Sequence, residues 1–186
     1  MKKLLVLALL GVAGASMGQT VYDSIAGPYS AFAASTGLLG YDDYTTNQGG
    51  TSFSMYQFKF VGGVTTVGGI LTFQFYHASD TTLASPYTGF SVALPQAGNF
   101  IWTITMGTNL NIDNTGYVAG FADAATTGQW FLTGTAPAVG SNSTTFSDNT
   151  SNKYHAFAMA VPEPASMTAM GLGLVALISK RRKNRA

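Results

Sequence analysis

The sequence predicts an all-β domain over residues 19–160, built as an antiparallel β-sandwich or jelly roll. Three observations support this prediction. Helical periodicity is nearly absent from this stretch, whereas short runs of β-branched and aromatic residues recur. Turn-forming residues separate these runs, and glycine alone occupies 22 positions of the chain. About eight to ten short strands spaced by turns favour a two-sheet antiparallel fold over a βαβ fold.

The predicted strands alternate between two faces. They cover residues 21–25, 51–61, 70–77, 87–94, 100–106, 116–122, 129–133 and 153–161. In the second of these, Phe53 and Met55 share one face. The aromatics that follow, Tyr56, Phe58 and Phe60, share the other face, so the alternation slips and predicts a bulge near position 56. Aromatic side chains supply the core, since each buries about 150–250 Å².

The charge pattern excludes several classes of protein. Charged residues make up 9% of the chain, against roughly 25% in ordinary domains. Between residues 19 and 160, two lysines (Lys59 and Lys153) stand against seven aspartates and no arginine, which gives a formal charge of −5. An acidic body argues against a nucleic-acid partner. The absence of cysteine excludes a disulfide framework, a thiolate metal site and a cysteine nucleophile.

Residues 1–18, MKKLLVLALLGVAGASMG, predict a secretory signal peptide that engages the Sec translocon. Two lysines precede a short apolar run, and small residues follow it. Ser16 and Gly18 suit a cleavage between Gly18 and Gln19, and a cleavage after Ala15 is the competing choice. The alternative interpretation is a buried or amphipathic N-terminal helix, but the run lacks a polar face.

Residues 161–186, VPEPASMTAMGLGLVALISKRRKNRA, form a three-part tail. Pro-Glu-Pro at 162–164 precedes an uncharged stretch at 165–179, and a basic cluster at 180–185 follows. As a helix the stretch would be about 22 Å long, short of the ~30 Å hydrocarbon core of a bilayer, which predicts a temporary membrane stop. The positive-inside rule places the basic cluster in the cytoplasm and the body outside. The alternative is an ordinary C-terminal helix of the domain.

This tail resembles the PEP-CTERM protein-sorting signal of Gram-negative bacteria. The resemblance implies an exosortase substrate, with Pro162, Glu163 and Pro164 as the recognition element. It also implies a transient intermediate in the inner membrane, followed by delivery to the cell surface or the extracellular matrix, and a link to exopolysaccharide. The cytoplasmic stop would be the basic cluster, made of Lys180, Arg181, Arg182, Lys183 and Arg185.

The body offers little sign of catalysis, and no catalytic residue is predicted. His77 and His155 lie in predicted strands, so we expect half-buried strand histidines. A Ser-His-Asp triad stays open because its members need only be close in space, although no nucleophile-elbow sequence supports one. Asp42 and Asp43 are adjacent, and we expect a solvated turn there.

No metal or cofactor is predicted. Residues 109–114, NLNIDN, place oxygen-bearing side chains at alternate positions, like the start of a calcium loop. Asn114 stands where an EF-hand needs glycine and Gly120 where it needs glutamate, so that interpretation fails, and a different surface calcium site stays open. The glycine pairs at 62–63 and 68–69 are expected in turns.

Three functions follow from these features. The leading one is a non-catalytic structural or interaction protein, exported and sorted through its tail. The alternative is a carbohydrate-binding module or adhesin for exopolysaccharide, in which an exposed aromatic ring stacks on sugar. Trp130 is the candidate glycan contact, whereas Trp102 lies in an apolar row and is expected in the core. A matrix hydrolase is the third, and it requires a histidine to meet Asp and Ser in one cleft.

Overall fold

The computed structural model describes residues 18–30, 34–143 and 153–162, and these residues form twelve strands and no helix. The strands lie in the compact unit Thr20–Val161, with Gln19 added at the start of the first strand. Residues 1–17 of the predicted signal peptide, the predicted membrane helix at 165–179 and the basic cluster lie outside the described residues. Within the described part of the chain, no helix has the length and apolarity needed to cross a membrane.

The strand positions agree with most of the predicted runs, and two predicted runs are each divided into two strands. The strands are β1 (Gln19–Asp23), β2 (Tyr29–Ser30), β3 (Gly37–Thr45), β4 (Ser52–Val64), β5 (Ile70–His77), β6 (Thr88–Ala93), β7 (Gly98–Asp113), β8 (Thr115–Ala122), β9 (Gly128–Trp130), β10 (Leu132–Thr133), β11 (Tyr154–His155) and β12 (Phe157–Val161).

Two larger sheets and one small sheet result. The first sheet has the order β1-β12-β4-β7, with β9 also paired to β4, and the second sheet has the order β3-β8-β5-β6. The small sheet has the order β11-β10-β2. The pairings of β4 with β7, β9 and β12, and of β8 with β3 and β5, are antiparallel. The all-β, antiparallel prediction is therefore confirmed.

The pairing of the eight principal strands follows a simple rule. When β1, β3, β4, β5, β6, β7, β8 and β12 are counted in chain order, the first pairs with the eighth, the second with the seventh, the third with the sixth and the fourth with the fifth. This nested pairing is the strand order of a jelly roll, in which one long antiparallel ribbon folds over into two sheets. It matches the jelly-roll-like expectation.

Aromatic rings from both sheets fill the space between them. Phe58 and Phe60 of the first sheet lie 4.8 and 4.9 Å, centroid to centroid, from Phe73 of the second. Phe157 of β12 stacks on Tyr22 of β1 at 4.5 Å and meets Tyr44 of β3 edge-on. Such ring pairs add about 0.5–1.5 kcal/mol each beyond the burial of their area. The core therefore joins the first and last strands of the jelly roll.

The bulge predicted near position 56 is confirmed. Met55 pairs with Leu110 of β7, but Gln57 pairs with Thr105, so Tyr56 faces the four residues 106–109. The additional residues lie on β7, and not on β4 where the alternation slips. From Gln57 onwards the two strands run in regular register, and this leaves residues 98–105 of β7 as an uninterrupted strand.

Two expectations about the body are wrong. Asp42 and Asp43 lie inside β3 and not in a solvated turn, with Asp42 buried and Asp43 half-buried. The glycine pair at 62–63 lies inside β4 and not in a turn. A Cβ on Gly62 would overlap the carbonyl oxygen of Gln129, and one on Gly63 would overlap that of Gly98. Only glycine lets β7 and β9 approach β4 this closely from both sides.

Candidate functional site

The junction between the domain and the tail is formed by β12, which ends at Val161 and is followed at once by Pro162. β12 lies between β1 and β4, and residues Phe157 to Ala160 are buried. Its alternation of Phe157 and Met159 toward the core with small alanines on the other face suits an interior strand. Pro162 is exposed, and a proline is well placed to end the strand because it has no N–H to continue the ladder.

The position of this junction matters for any enzyme that acts on the tail. The described residues show no spacer between the last interior strand and the Pro-Glu-Pro triplet. Glu163, Pro164 and the rest of the tail lie outside the described residues. The chain spans at most about 3.3–3.6 Å per residue, so position 164 lies within about 11 Å of the end of β12 along the chain.

A buried polar cluster occupies the interior beside β12. Asp42, His155 and Ser24 are all buried. The Asp42 carboxylate accepts hydrogen bonds from the backbone N–H of His155 at 2.7 Å and from that of Asp43 at 3.0 Å. The His155 ring packs on Trp130 with centroids 4.3 Å apart. Asp, His and Ser thus come together in one place, which is the arrangement that a hydrolase would need.

The details of this cluster favour a structural role. The Ser24 hydroxyl donates to the backbone carbonyl of His155 at 2.8 Å and accepts from the backbone N–H of Phe157 at 3.1 Å. These bonds tie β1 to the chain around β12, and they direct the hydroxyl toward the backbone and not toward the imidazole. A nucleophile needs its base within hydrogen-bond reach and a substrate beside it. A cluster whose three members are buried provides no room for substrate.

Trp130 is the clearest correction to the candidate residues. Its relative exposure is 0%, its ring meets Phe73 edge-on at 5.4 Å, and its indole N–H donates to the backbone carbonyl of Ala156 at 3.2 Å. A ring covered on both faces cannot stack on a sugar, so the prediction of a glycan contact at this residue is wrong. Trp102 packs against the core as expected, although it is only half-buried, and its indole donates to the carbonyl of Gly62 at 3.0 Å.

A second histidine cluster lies at the surface. Nδ1 of His77 lies 2.6 Å from Oδ2 of Asp113, and the His77 ring stacks on Tyr87 at 4.3 Å. The Tyr87 hydroxyl accepts a hydrogen bond from the backbone N–H of Asp113 at 2.8 Å, and burial raises the pKa of Tyr87. The His77 side chain is 55% exposed. The cluster orients the imidazole, but it does not meet the first histidine cluster in one cleft.

The outer face of the second sheet carries aromatic and polar side chains in rows. Tyr41, Ala119, Gln74 and Gly89 are aligned across its four strands. Tyr117 lies one row away and Phe121 lies in the row on the other side, and both are half-buried like Tyr41. The small residues Ala119 and Gly89 leave a low floor between larger side chains. Of all the described surfaces, this one best combines ring faces with amide and hydroxyl groups.

A shallow polar pocket lies where β4, β7 and β9 separate. Its volume is about 290 Å³, and its walls include Thr65, Asn99 and Gln129. The Asn99 amide donates to the Gln129 side-chain carbonyl at 3.0 Å, across Gly63, which has no side chain to separate them. The two amides satisfy one another.

Metal binding has little support in the described residues. No group of three or more His, Asp or Glu side chains there could hold a metal ion. The segment that resembled a calcium loop belongs mostly to β7. Asn114, its last residue, is buried, and its amide donates to the backbone carbonyls of Gln48, Gly49 and Gly50, the shortest contact being 2.7 Å to Gly50. Its side chain therefore fastens the loop before β4.

Comparison with known proteins identifies the tail. Residues 160–183 match the PEP-CTERM protein-sorting motif. The chain carries this sorting motif. The match begins at Ala160, inside β12, so the motif and the last strand of the domain overlap. No curated protein and no solved structure matches the chain.

The sorting motif marks a protein that an exosortase sorts at its C-terminus. Sequence reasoning located this motif because its three parts are consecutive in the chain. It missed the Asp42 cluster, because Asp42, His155 and Ser24 are separated by more than a hundred residues and meet only through strand pairing. It also missed the aromatic face of the second sheet, whose Tyr41 lies on a strand that was not predicted.

Proposed function

We propose that this chain is an exported surface or matrix protein whose tail is processed by an exosortase and whose body is a non-catalytic binding or structural domain. Residues 1–18 direct the chain to the Sec translocon. The tail then holds the chain briefly in the inner membrane, with the basic cluster on the cytoplasmic side. Processing at or near 162–164 delivers the jelly roll to the cell surface or the extracellular matrix.

The observation that carries this proposal is the continuity between β12 and the sorting motif. The last strand to leave the membrane is also an interior strand, so the first sheet cannot be completed until β12 has been exported. Once β12 is paired with β1 and β4, the matched tail follows directly. A folded domain outside the membrane and a short tail within it suit a substrate that is released by processing.

A non-catalytic body is supported by how its polar groups are used. Asp42 and Ser24 bind the backbone inside the core, and Asn114 binds three carbonyls of a loop. These side chains stabilise strand connections and are therefore unavailable for acid–base or nucleophilic work.

Processing can be tested by expression in a host that carries the cognate exosortase and in a matched host that lacks it. The expected result is a shortened C-terminus, by intact mass, and release from the membrane only when the enzyme is present. Replacing Pro162, Glu163 and Pro164 by alanine should block the shortening. The matched control, Ser166→Ala with Thr168→Ala, alters the neighbouring segment and should be processed normally. An unaltered tail and unaltered location in both hosts would contradict the proposal.

A second candidate, carbohydrate binding, is favoured by the outer face of the second sheet. Tyr41 and Tyr117 supply rings, and Gln74 supplies an amide whose oxygen accepts from the Tyr76 hydroxyl at 2.7 Å. Aromatic faces with nearby amides suit the apolar faces and hydroxyls of sugars, and the acidic body favours neutral polymers. Affinity electrophoresis in neutral polysaccharide should show retardation that Tyr41→Ala reduces and Tyr154→Ala, in the small sheet, does not. Equal mobility of all three proteins would argue against this candidate.

A further inference from the structure

One side of the jelly roll, here called the closed side, has its strand edges bridged. It contains the edge strands β1 and β3, and residues 138–143 run between their ends. Asp23 exchanges backbone hydrogen bonds with this segment through Val139 and Ala138, at 3.0 and 2.7 Å. Thr45 and Ser141 donate to one another's carbonyls at 2.7 and 2.8 Å. The Asn142 amide also donates to the Tyr22 hydroxyl at 3.0 Å.

The opposite side, here called the open side, contains the edge strands β6 and β7. Among the described residues β7 pairs only with β4, so one edge of a sixteen-residue strand has no paired neighbour. Natural edge strands are usually protected by charges, prolines or short length. Residues 98–112 contain no charged residue and no proline. Phe100 and Ile101, which point to opposite faces, are 42% and 55% exposed.

The core itself reaches the surface on the open side. The apolar side chains that contact the core while remaining half-buried include Phe90 and Val92 of β6 and Trp102, Ile104 and Met106 of β7. Their counterparts on the closed side, Val21, Tyr22, Leu39 and Tyr44, are completely or almost completely buried. The fold therefore leaves both backbone hydrogen-bonding groups and apolar side chains accessible along the same edge.

We propose that β7 of one copy pairs antiparallel with β7 of a second copy over residues 98–105, joining two first sheets into one continuous sheet. The bulge at 106–109 sets one limit of the pairing, because a bulge twists the strand and interrupts its ladder. The eight-residue stretch is about 27 Å long at roughly 3.4 Å per residue. A two-fold axis makes such a contact close on itself as a dimer.

A second copy suits this edge because the strand is uncharged. In a two-fold pairing each residue meets the same strand, and a charged residue would often face its own like charge, which is unfavourable. The segment 98–105 avoids this, whereas the body as a whole carries a formal charge of −5. The pairing also places the apolar row from Phe100 to Met106 beside the same row of the partner. Sorting and processing of the tail are not required for this contact.

Single-cysteine cross-linking of the full chain in detergent tests the proposal, because the natural sequence contains no cysteine. Asn99→Cys, Ile101→Cys, Thr103→Cys and Thr105→Cys place a thiol along the outer face of the strand. Under mild oxidation we expect one of these positions to give the most disulfide dimer, with yields falling on either side of it. The matched control Val67→Cys, also exposed but in a turn, should give little dimer. Yields at all four positions no higher than that of Val67→Cys would overturn the proposal.

Charge variants provide an independent measurement of the same contact. Ile101→Lys and Ile101→Glu should each weaken the dimer by about tenfold or more, judged by analytical ultracentrifugation, because like charges face each other across the two-fold axis. An equimolar mixture should recover most of the lost association. Circular dichroism should be unchanged, since residue 101 is largely exposed. Association that is the same for wild type, single variants and mixture would place any dimer contact elsewhere.

Discussion

The closed and open sides of this jelly roll use the same kinds of residue in opposite ways. On the closed side, aromatic and polar side chains are buried and their hydrogen bonds are made within the chain, through residues 138–143 and the Asp42 cluster. On the open side, β7 offers an unpaired edge and half-buried apolar side chains. The difference suggests that one side is used for stability and the other for contact with another molecule.

The largest expected effect comes from cutting a core ring near the closed side. Phe157→Ala removes a fully buried ring that stacks on Tyr22, and it should lower the free energy of unfolding by about 3–5 kcal/mol. Ile104→Ala on the open side removes a half-buried side chain, so its cost should be only about 1–2 kcal/mol. Urea unfolding measures both. Equal costs would remove the energetic difference between the two sides.

The next effect concerns the buried carboxylate of β3. Asp42→Ala leaves the backbone N–H groups of His155 and Asp43 without their acceptor, and it should cost about 2–3 kcal/mol. Asp80→Ala is the matched control, because the Asp80 carboxylate also accepts backbone N–H groups but lies in an exposed turn. Its cost should be clearly smaller in the same urea experiment. A larger loss from Asp80→Ala would contradict the structural role assigned to Asp42.

A smaller effect is expected from opening the closed side. Ser141→Pro removes the N–H that donates to Thr45, and it should lower the free energy of unfolding by about 1–2 kcal/mol. Hydrogen exchange should become faster at Thr45 and Asp23. Ser143→Ala, which keeps its backbone N–H on the Asp43 carboxylate, is the control and should leave these rates nearly unchanged.

The smallest effects are those of pH, and they have opposite signs on two aspartates. Burial raises the pKa of Asp43 above 3.8, with hydrogen bonds from Ser143 opposing it, so protonation of Asp43 favours the fold. This contribution is complete below about pH 3.8 and is lost as pH rises through the higher folded pKa. Hydrogen bonds from Ser85 and Ala84 lower the pKa of Asp80, so its contribution is present above about pH 3.8 and is lost as pH falls through the lower folded pKa.

Urea unfolding of Asp43→Asn and Asp80→Asn across this range checks both signs. Relative to its asparagine variant, wild type should gain stability from Asp43 as pH falls toward about 4, and lose stability from Asp80 as pH falls below about 4. The same direction of change for both residues would show that burial does not control Asp43.

The sequence predicted those parts of the molecule whose signal is local. Alternating aromatics identified β4, β5 and β7, and the slip at Tyr56 located the bulge, because side-chain direction follows directly from strand geometry. β3 was missed because GLLGYDDYT contains two glycines and two aspartates, which are residues that usually weaken strands. Its aspartates are tolerated because one is buried against the backbone of β11 and the other is held by Ser143.

The burial of Trp130 illustrates the same limit. In sequence it follows Gly128 and Gln129 and lies in a three-residue strand with little alternation of its own. Its environment is set by Phe73 from the second sheet and His155 from β11, which are distant in the chain. Strand pairing over long separations decided which tryptophan became part of the core, and no local pattern contains that information.

Residue-resolved hydrogen exchange at two protein concentrations tests the central contrast most directly. We expect protection in 98–105 to rise with concentration, because a second copy pairs with this edge, while Asp23, Thr45 and Ser141, which already exchange hydrogen bonds within one chain, stay unchanged. The same experiment on Ile101→Lys should show no rise. Protection that increases at the β1 and β3 edges, or that does not depend on concentration in β7, would contradict the assignment of the open side as the contact edge.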